Sequence, residues 1–349
     1  MSDVLLFVLI AGGLILGHEL GHLLMARWRG VAVTEFGIGF PPRLIRLGTI
    51  GGTAITLNAI PFGGFVRIAG EDDPKVLDGL AAASKTTRTL VLLGGIFANL
   101  LLGYLAFSAA YRFAAPDPER VLITAVQPDS PAAQAGIEPG DLVLEVDGVP
   151  IRGIEGMQQT IAARLGQDVN ITLSRQDQAI EVQLVPRVTP PEGEGPIGVL
   201  LGNPTRRVGT IEALRLGAQS MAYQFTELLL LPGHLLRGEV TRDQIRLTGI
   251  KGMYDMVSWA SDIDRSNQRP FLTLQLAGLI SVGLAITNLL PVPALDGGRL
   301  VFVLLEAILR RRVAPRFEGL VHAIGFTFLI GLMVYITVQD VVNPIPLPR

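Results

Sequence analysis

Four long apolar runs constrain the fold of this chain more than any other feature. They occupy residues 4–26, 90–111, 272–290 and 321–338, and a helix of such length can cross a hydrocarbon core of roughly 30 Å. Hydrophobic residues make up 49% of the chain and charged residues 17%, which is too apolar a composition for a typical soluble enzyme. We therefore expect a polytopic α-helical membrane protein with about four transmembrane helices.

Basic residues predict how these helices are oriented. Arg27 and Arg29 follow the first run, Lys85 and Arg88 precede the second, and the third and fourth runs are separated by Arg310, Arg311, Arg312 and Arg316. The positive-inside rule makes this side cytoplasmic. The two termini and residues 112–270 are then expected on the other side. Since the first run lacks the basic start of a signal peptide, we expect it to be retained.

The first apolar run contains the sequence His18-Glu19-Leu20-Gly21-His22. On a helix, His18 and His22 lie on one face, one turn apart. Two such imidazoles can hold a Zn²⁺ ion, and Glu19 can take a proton from a water that the metal activates. Ionisable residues inside an apolar span are costly and are therefore candidates for function. The chain has no Cys, so a transition metal must be held by His, Asp or Glu.

Asp296 is the candidate for a third ligand. The third run ends in Pro291 and Pro293, which break the helix. In the predicted orientation, Asp296 lies near the same depth in the membrane as His18, which is about 21 Å along the first helix from residue 4. Two His and one carboxylate, with a position left for water, form the ligand set of a catalytic zinc. The alternative is that Asp296 only caps the short helix that follows it.

Residues 34–67 are rich in Gly, Pro and β-formers and predict a β-hairpin or small sheet. Because an open sheet edge cannot face lipid, this segment either lines a protein cavity and pairs with an extended peptide or is an ordinary surface hairpin. Residues 71–85 are expected to form a solvated cytoplasmic loop. In the second run, Gly95, Asn99 and Gly103 recur at every fourth position, which allows close helix approach. Asn99 serves either packing or hydrogen bonding, across the helix pair or to a substrate.

Short β-like runs alternate with turns over residues 121–187, with helices predicted at 132–135 and 154–165. This stretch resembles a PDZ domain through Ser-Pro-Ala-Ala at 130–133, Ala-Gly-Ile-Glu-Pro-Gly-Asp at 135–141 and Val-Asp-Gly at 146–148. The resemblance implies one α+β PDZ-like domain that takes a peptide or protein terminus as an added strand. Farther on, residues 211–229 predict an interfacial amphipathic helix that is too polar to span. His234 and His322 are expected at the surface or interface.

The ordered motifs resemble the site-2 protease family, and most closely its bacterial regulator-of-sigma-E protease type, over nearly the whole chain. They are His18-Glu19-xx-His22, Gly95-xxx-Asn99, the PDZ-like stretch, and Asn288 followed by Leu295-Asp296-Gly297. The resemblance implies one zinc per chain on His18, His22 and Asp296, with Glu19 as general acid/base. It also implies that a membrane-associated β-element at 34–67 presents the substrate, and that Asn288 and Asn99 orient it.

Family members cut transmembrane segments of single-span proteins, such as anti-sigma factors or remnant signal peptides. The resemblance implies a multi-pass protein of the bacterial inner membrane, with its active site within the lipid bilayer near the cytoplasmic side. The PDZ-like domain and both termini would be extracytoplasmic. The formal net charge of -2 gives no indication of a nucleic-acid partner.

The predicted domains are an N-terminal membrane part at 1–112, the PDZ-like domain at 120–201, an amphipathic region at 202–270 and a C-terminal membrane part at 271–349. Two rival functions remain open at this point. One is a non-catalytic membrane adaptor, and the other is a membrane zinc enzyme acting on other bonds, such as lipid amides. The β-element and the PDZ-like domain favour peptides.

Overall fold

A computed structural model describes residues 2–71, 73–191, 193–239 and 248–345, with only the backbone of residue 267. The predicted regions 202–270 and 271–349 thus include residues 240–247 and 346–349, which lie outside the described residues. The chain divides into two compact units. One combines Met1–Ala110 with Thr210–Arg349, and the other is Tyr111–Gly209.

The helices, in chain order, are α1 (Asp3–Trp28), α2 (Lys85–Phe113), α3 (Pro131–Gln134), α4 (Gly153–Ala162), α5 (Thr210–Leu236), α6 (Ile250–Asn267), α7 (Phe271–Leu289), α8 (Asp296–Leu309) and α9 (Pro315–Val342). The strands are β1 (Val33–Ile50), β2 (Thr53–Ile68), β3 (Ala115–Pro116), β4 (Val121–Val126), β5 (Leu142–Val146), β6 (Val149–Pro150), β7 (Val169–Arg175), β8 (Gln178–Leu184), β9 (Val199–Gly202) and β10 (Thr205–Arg206).

Four of the described helices, α1, α2, α7 and α9, are long and apolar enough to cross a membrane. They correspond to the four apolar runs, so the prediction of four candidate spans is confirmed. The helices α1, α2 and α9 extend beyond their runs at both ends, whereas α7 ends at Leu289, one residue before its run does. The amphipathic helix predicted at 211–229 is confirmed as part of α5, which is not among the four.

Small residues hold α2 close to both α1 and α7. A Cβ atom at Gly21 would overlap the carbonyl oxygen of Gly94, and one at Gly103 would lie 2.9 Å from Val282. The Oγ of Ser281 donates a hydrogen bond of 2.7 Å to the backbone oxygen of Asn99. Close backbone approach of this kind favours packing between apolar helices, where no hydrophobic force drives association. It brings α1, α2 and α7 to one place.

The segment 34–67 forms a small antiparallel sheet of β1 and β2, as predicted, in which residues 35–38 of β1 pair with two stretches of β2, at 54–57 and at 64–67. The turn between β1 and β2 uses Gly51 and Gly52 at positive φ, which glycine adopts without steric cost. Where β1 begins and β2 ends, Val33 and Ile68 are buried with Leu80. The prediction of a fully solvated loop at 71–85 is therefore wrong in part. The backbone of Leu80 donates to Ala69 at 2.9 Å, which draws that segment onto the sheet.

The unit Tyr111–Gly209 has its own hydrophobic core beneath a sheet of order β8-β7-β5-β4-β9, with β6 paired to β5. The predicted strands and both helices of this stretch are confirmed to within a few residues. The strand β9 begins only at Val199. The reason is local: Gly198 has φ +74 and donates to the backbone oxygen of Gly195 at 3.0 Å, so the chain is still turning there.

Candidate active site

The side chains of His18 and His22 project from one face of α1 and are buried. Their Nε2 atoms are 3.0 Å apart. Asp296 begins α8, and its Oδ2 lies 3.2 Å from the Nε2 of His18 and 3.2 Å from the Nε2 of His22. The three side chains can each offer one ligand atom, all within 4.8 Å of one another. The structure thus brings together three predicted residues that the sequence separates widely.

The loop between α7 and α8 determines where Asp296 lies. A Cβ atom at Gly297 would overlap the backbone oxygen of Leu290, so only glycine permits this tight entry into α8. The N-cap of α8 is Leu295, with no side-chain capping bond. The alternative that Asp296 only caps the helix is therefore wrong.

His322 in α9 fixes the same loop from outside. Its Nδ1 accepts a hydrogen bond of 2.8 Å from the backbone N–H of Ala294. Ala294 lies two residues before Asp296 and has φ 79, a strained conformation for a residue with a Cβ. The sequence had led us to expect only a residue at the surface or interface. His322 instead supports the loop that carries Asp296.

Hydrogen bonding directs a lone pair of His22 into the site. The Nδ1 of His22 lies 2.8 Å from the carbonyl oxygen of Val91, which can only accept, so Nδ1 carries the hydrogen and Nε2 has a free lone pair. The Oδ2 of Asp296 is buried and accepts no hydrogen bond from the described residues. Lone pairs of nitrogen and oxygen that converge at such distances suit a divalent cation, and an outer carbonyl on the imidazole is typical of metal ligands. The residues present therefore fit zinc.

Asn99 lies beside His18 and is fully buried. Its Nδ2 is 3.4 Å from the Nδ1 of His18, and its Oδ1 has no hydrogen-bond partner among the described residues. Rotating the amide by half a turn would let Oδ1 accept from a hydrogen on Nδ1, and the Nε2 of His18 would then offer a lone pair as His22 does. Asn99 does not line the cavity in front of the histidines.

Glu19 lies between the two histidines in sequence and lines this cavity of about 240 Å³ with them. Its Oε2 accepts a hydrogen bond of 2.9 Å from the backbone N–H of Val66 in β2. This N–H points at Glu19, so the edge of β2 that does not pair with β1 faces the cavity. Asn288, near the end of α7, also lines it. The carboxylate of Glu19, the two imidazoles, the amide of Asn288 and the free edge of β2 therefore line the same cavity.

Sequence reasoning missed an ion pair at the same cavity. The Nη1 of Arg299 lies 2.5 Å from the Oε1 of Glu71, and both residues line the cavity. Arg299 follows Asp296 by three residues, a spacing that places both on one face of α8, and this was the available signal. Glu71 carried no such signal, because it belongs to the segment expected to be solvated.

Comparisons with known proteins identify the family of this chain. The model of peptidase family M50 matches residues 6–332. A protein of Clostridium perfringens named "Putative zinc metalloprotease" is 30% identical, with 98% of this chain and 99% of that protein covered. One of the same name from Campylobacter jejuni is 32% identical, with 97% and 93% covered.

Among solved structures, the PDZ domain of the SdrC-like protein from Listeria monocytogenes matches 25% of this chain and 92% of its own, at 24% identity and a TM-score of 0.22. The family model spans nearly the whole chain, and these two relatives of at least 30% identity are covered over 99% and 93% of their lengths. The chain therefore belongs to peptidase family M50, the family of site-2 proteases, and is a metalloprotease.

Proposed function

We propose that this protein hydrolyses peptide bonds within transmembrane segments of single-span membrane proteins, using one zinc held by His18, His22 and Asp296. The observation that carries the proposal is the convergence of the three ligand atoms within 4.8 Å, beside Glu19 and between helices apolar enough to span a membrane. The substrate class would be anti-sigma-factor-like proteins or remnant signal peptides in regulated intramembrane proteolysis.

Zinc bound there would act as a Lewis acid toward the scissile carbonyl and would lower the pKa of a water. Glu19 is the general base and acid: it takes a proton from the attacking water and returns it to the leaving amine. The N–H of Val66 holds Oε2 at 2.9 Å. Oε1 is then the oxygen that exchanges the proton, and the carboxylate keeps its orientation through both transfers.

The strand edge supplies a way to present the substrate. A helical segment hides its carbonyls in internal hydrogen bonds, so it must unwind before cleavage. The free edge of β2 at Val66 faces the cavity, and an extended peptide can pair with such an edge. Asn288 is half-buried and lines the cavity, and in this proposal it donates its amide hydrogens to a substrate carbonyl.

The unit Tyr111–Gly209 is proposed to be a PDZ-like domain that binds peptide or protein termini. It contains a cavity of about 520 Å³ between α4 and β9, with a mainly apolar lining that includes Met157, Ile161 and Val199. An apolar groove flanked by a helix and a strand suits a peptide added as a further strand.

The basic residues support an orientation in the bacterial inner membrane with this unit and both termini outside the cytoplasm.

The test is zinc content by elemental analysis together with cleavage of a fusion that carries one transmembrane helix. The purified wild type should contain one zinc per chain and cut the fusion. Glu19→Gln should retain the zinc and lose activity by about 10²–10⁴-fold, because a general base contributes about that much. Asp296→Asn should lose both zinc and activity.

Asp78→Asn is the matched control, since Asp78 is an exposed carboxylate away from the cavity, and it should behave as wild type. A folded wild type with neither zinc nor cleavage would favour the adaptor. Zinc with no peptide cleavage, but with turnover of lipid amides, would favour the other enzyme class. Full cleavage by Glu19→Gln would remove the role assigned to Glu19.

A further inference from the structure

Two further cavities lie where the start of α2 meets the end of α8. The first, called here the basic cavity, has a volume of about 240 Å³. Its lining includes five cationic side chains and a single carboxylate, those of Lys85, Arg88, Arg310, Arg311, Arg312 and Glu306. None of these residues belongs to the zinc site or its cavity.

The positive charge of the basic cavity is not neutralised internally. Glu306 is buried and forms an ion pair with Arg88, so its charge is balanced. The Nζ of Lys85 donates to the backbone oxygen of Glu306 at 2.9 Å, which leaves its charge in place. The side chains of Arg310 and Arg311 are exposed and form no ion pair or hydrogen bond with any described residue. The cavity therefore presents a net positive charge and free donors.

The second cavity, called here the apolar groove, adjoins the first and shares Lys85 with it. Its volume is about 490 Å³, and apolar side chains of α2 and α8 dominate the lining, including Leu90, Leu300, Val303 and Leu304. Leu304 remains 60% exposed. One end of this paired site therefore suits an anion, and the other suits a hydrocarbon chain.

We propose that the paired site binds an anionic phospholipid, with its phosphate in the basic cavity and an acyl chain in the apolar groove. Basic pockets between transmembrane helices are suited to anionic headgroups, and α2 is one of the candidate spans. Free phosphate would use only the basic cavity. The adjoining groove assigns the site to a lipid, and the lipid would bridge α2 and α8.

The experiment is native mass spectrometry of the full chain in neutral detergent, titrated with phosphatidylglycerol or with phosphatidylcholine of the same chains. The wild type should retain phosphatidylglycerol preferentially. Arg311→Gln should weaken this retention about fivefold, the effect expected for one cation near an anionic headgroup. The matched control is Arg316→Gln, an exposed arginine at the start of α9 that lines neither cavity, and it should bind as wild type.

The groove is tested separately. Leu304→Asn should weaken lipid retention, whereas Ile308→Asn, at an exposed apolar residue of α8 outside the lining, should not. Inorganic phosphate should not displace the lipid at equal concentration. Equal loss in Arg311→Gln and Arg316→Gln would reduce the site to general surface charge and overturn the proposal. Displacement by inorganic phosphate, or no effect of Leu304→Asn, would overturn the lipid assignment.

Discussion

The amide of Asn99 faces the imidazole of His18 on the side away from Asp296. The Nδ2 of Asn99 and the Nδ1 of His18 are 3.4 Å apart, while the Nε2 of His18 is 3.2 Å from the Oδ2 of Asp296. The sequence left Asn99 open between packing alone and hydrogen bonding, either across the helix pair or to a substrate. Its complete burial supports a positioning role: Asn99 fixes the ring whose other nitrogen faces the metal site.

We predict that Asn99→Leu weakens zinc affinity by about 10–100-fold, the usual cost of losing an outer hydrogen-bond partner. Asn99→Asp should largely restore it, since a carboxylate can accept from Nδ1. Zinc affinity is measured by competition with a chelator, and KM is measured on zinc-saturated enzyme. Ser281→Ala, next to Asn99 but away from His18, is the control. A raised KM with unchanged zinc affinity would instead assign Asn99 to the substrate.

Gly95 is the residue of α2 against which the imidazoles of His18 and His22 pack. A Cβ atom there would lie 2.5 Å from the Nε2 of His22 and 2.6 Å from the Cε1 of His18. We predict that Gly95→Ala displaces both rings and abolishes stoichiometric zinc binding, while the protein remains folded in detergent. Elemental analysis and thermal unfolding check this. Gly13→Ala in α1, where a Cβ meets nothing within 4 Å, should retain its zinc.

Local patterns explain which parts of this site the sequence could predict. His18 and His22 are one helical turn apart, so their proximity depends only on α1 being a helix. Asp296 required one further step, the comparison of depths along two predicted helices. The small sheet of β1 and β2 was predictable because Gly and Pro interrupt short runs of β-formers, although its strands are longer than those runs.

The parts that could not be predicted are contacts between distant segments. The N–H of Val66 that holds Glu19, and the ring of His322 that holds Ala294, depend on how β2 and α9 pack. No periodicity in either segment marks these roles. Glu71 shows the same limit in another form: a carboxylate in a polar stretch is ordinarily solvated, and only the position of Arg299 makes it part of the cavity.

In the unit Tyr111–Gly209, the buried carboxylate of Asp141 accepts hydrogen bonds from the side chain of Arg175 and from the backbone of Glu138. Arg175 donates from Nε to Oδ1 and from Nη2 to Oδ2, both at 2.7 Å, and the N–H of Glu138 donates to Oδ2 at 2.9 Å. The hydrogen bonds from Arg175 hold the pKa of Asp141 below its usual range, against the opposing effect of burial.

We predict that Asp141→Asn destabilises this unit by about 1–3 kcal/mol at neutral pH, because buried donors lose a charged acceptor. The folded pKa lies below the unfolded value of about 3.9. The stabilisation is therefore complete above that pH and is lost as pH falls toward the folded pKa. Urea unfolding of the 111–209 fragment at several pH values checks this. Asp177→Asn, at a turn residue with positive φ, is the control, and equal pH dependence in the wild type and Asp141→Asn would contradict the prediction.

The proposed binding of peptide termini in the groove between α4 and β9 can be tested by obstructing that groove. Ala162 is exposed and lines the groove, so Ala162→Arg should obstruct a bound peptide without disturbing the core. An overpacked contact costs about 1–3 kcal/mol, and affinity for a peptide with an apolar free C-terminus should fall by about tenfold. Fluorescence anisotropy measures this. Ala163→Arg introduces the same side chain at the next residue, outside the lining, and should bind as wild type. Equal affinity in both variants would place the peptide elsewhere.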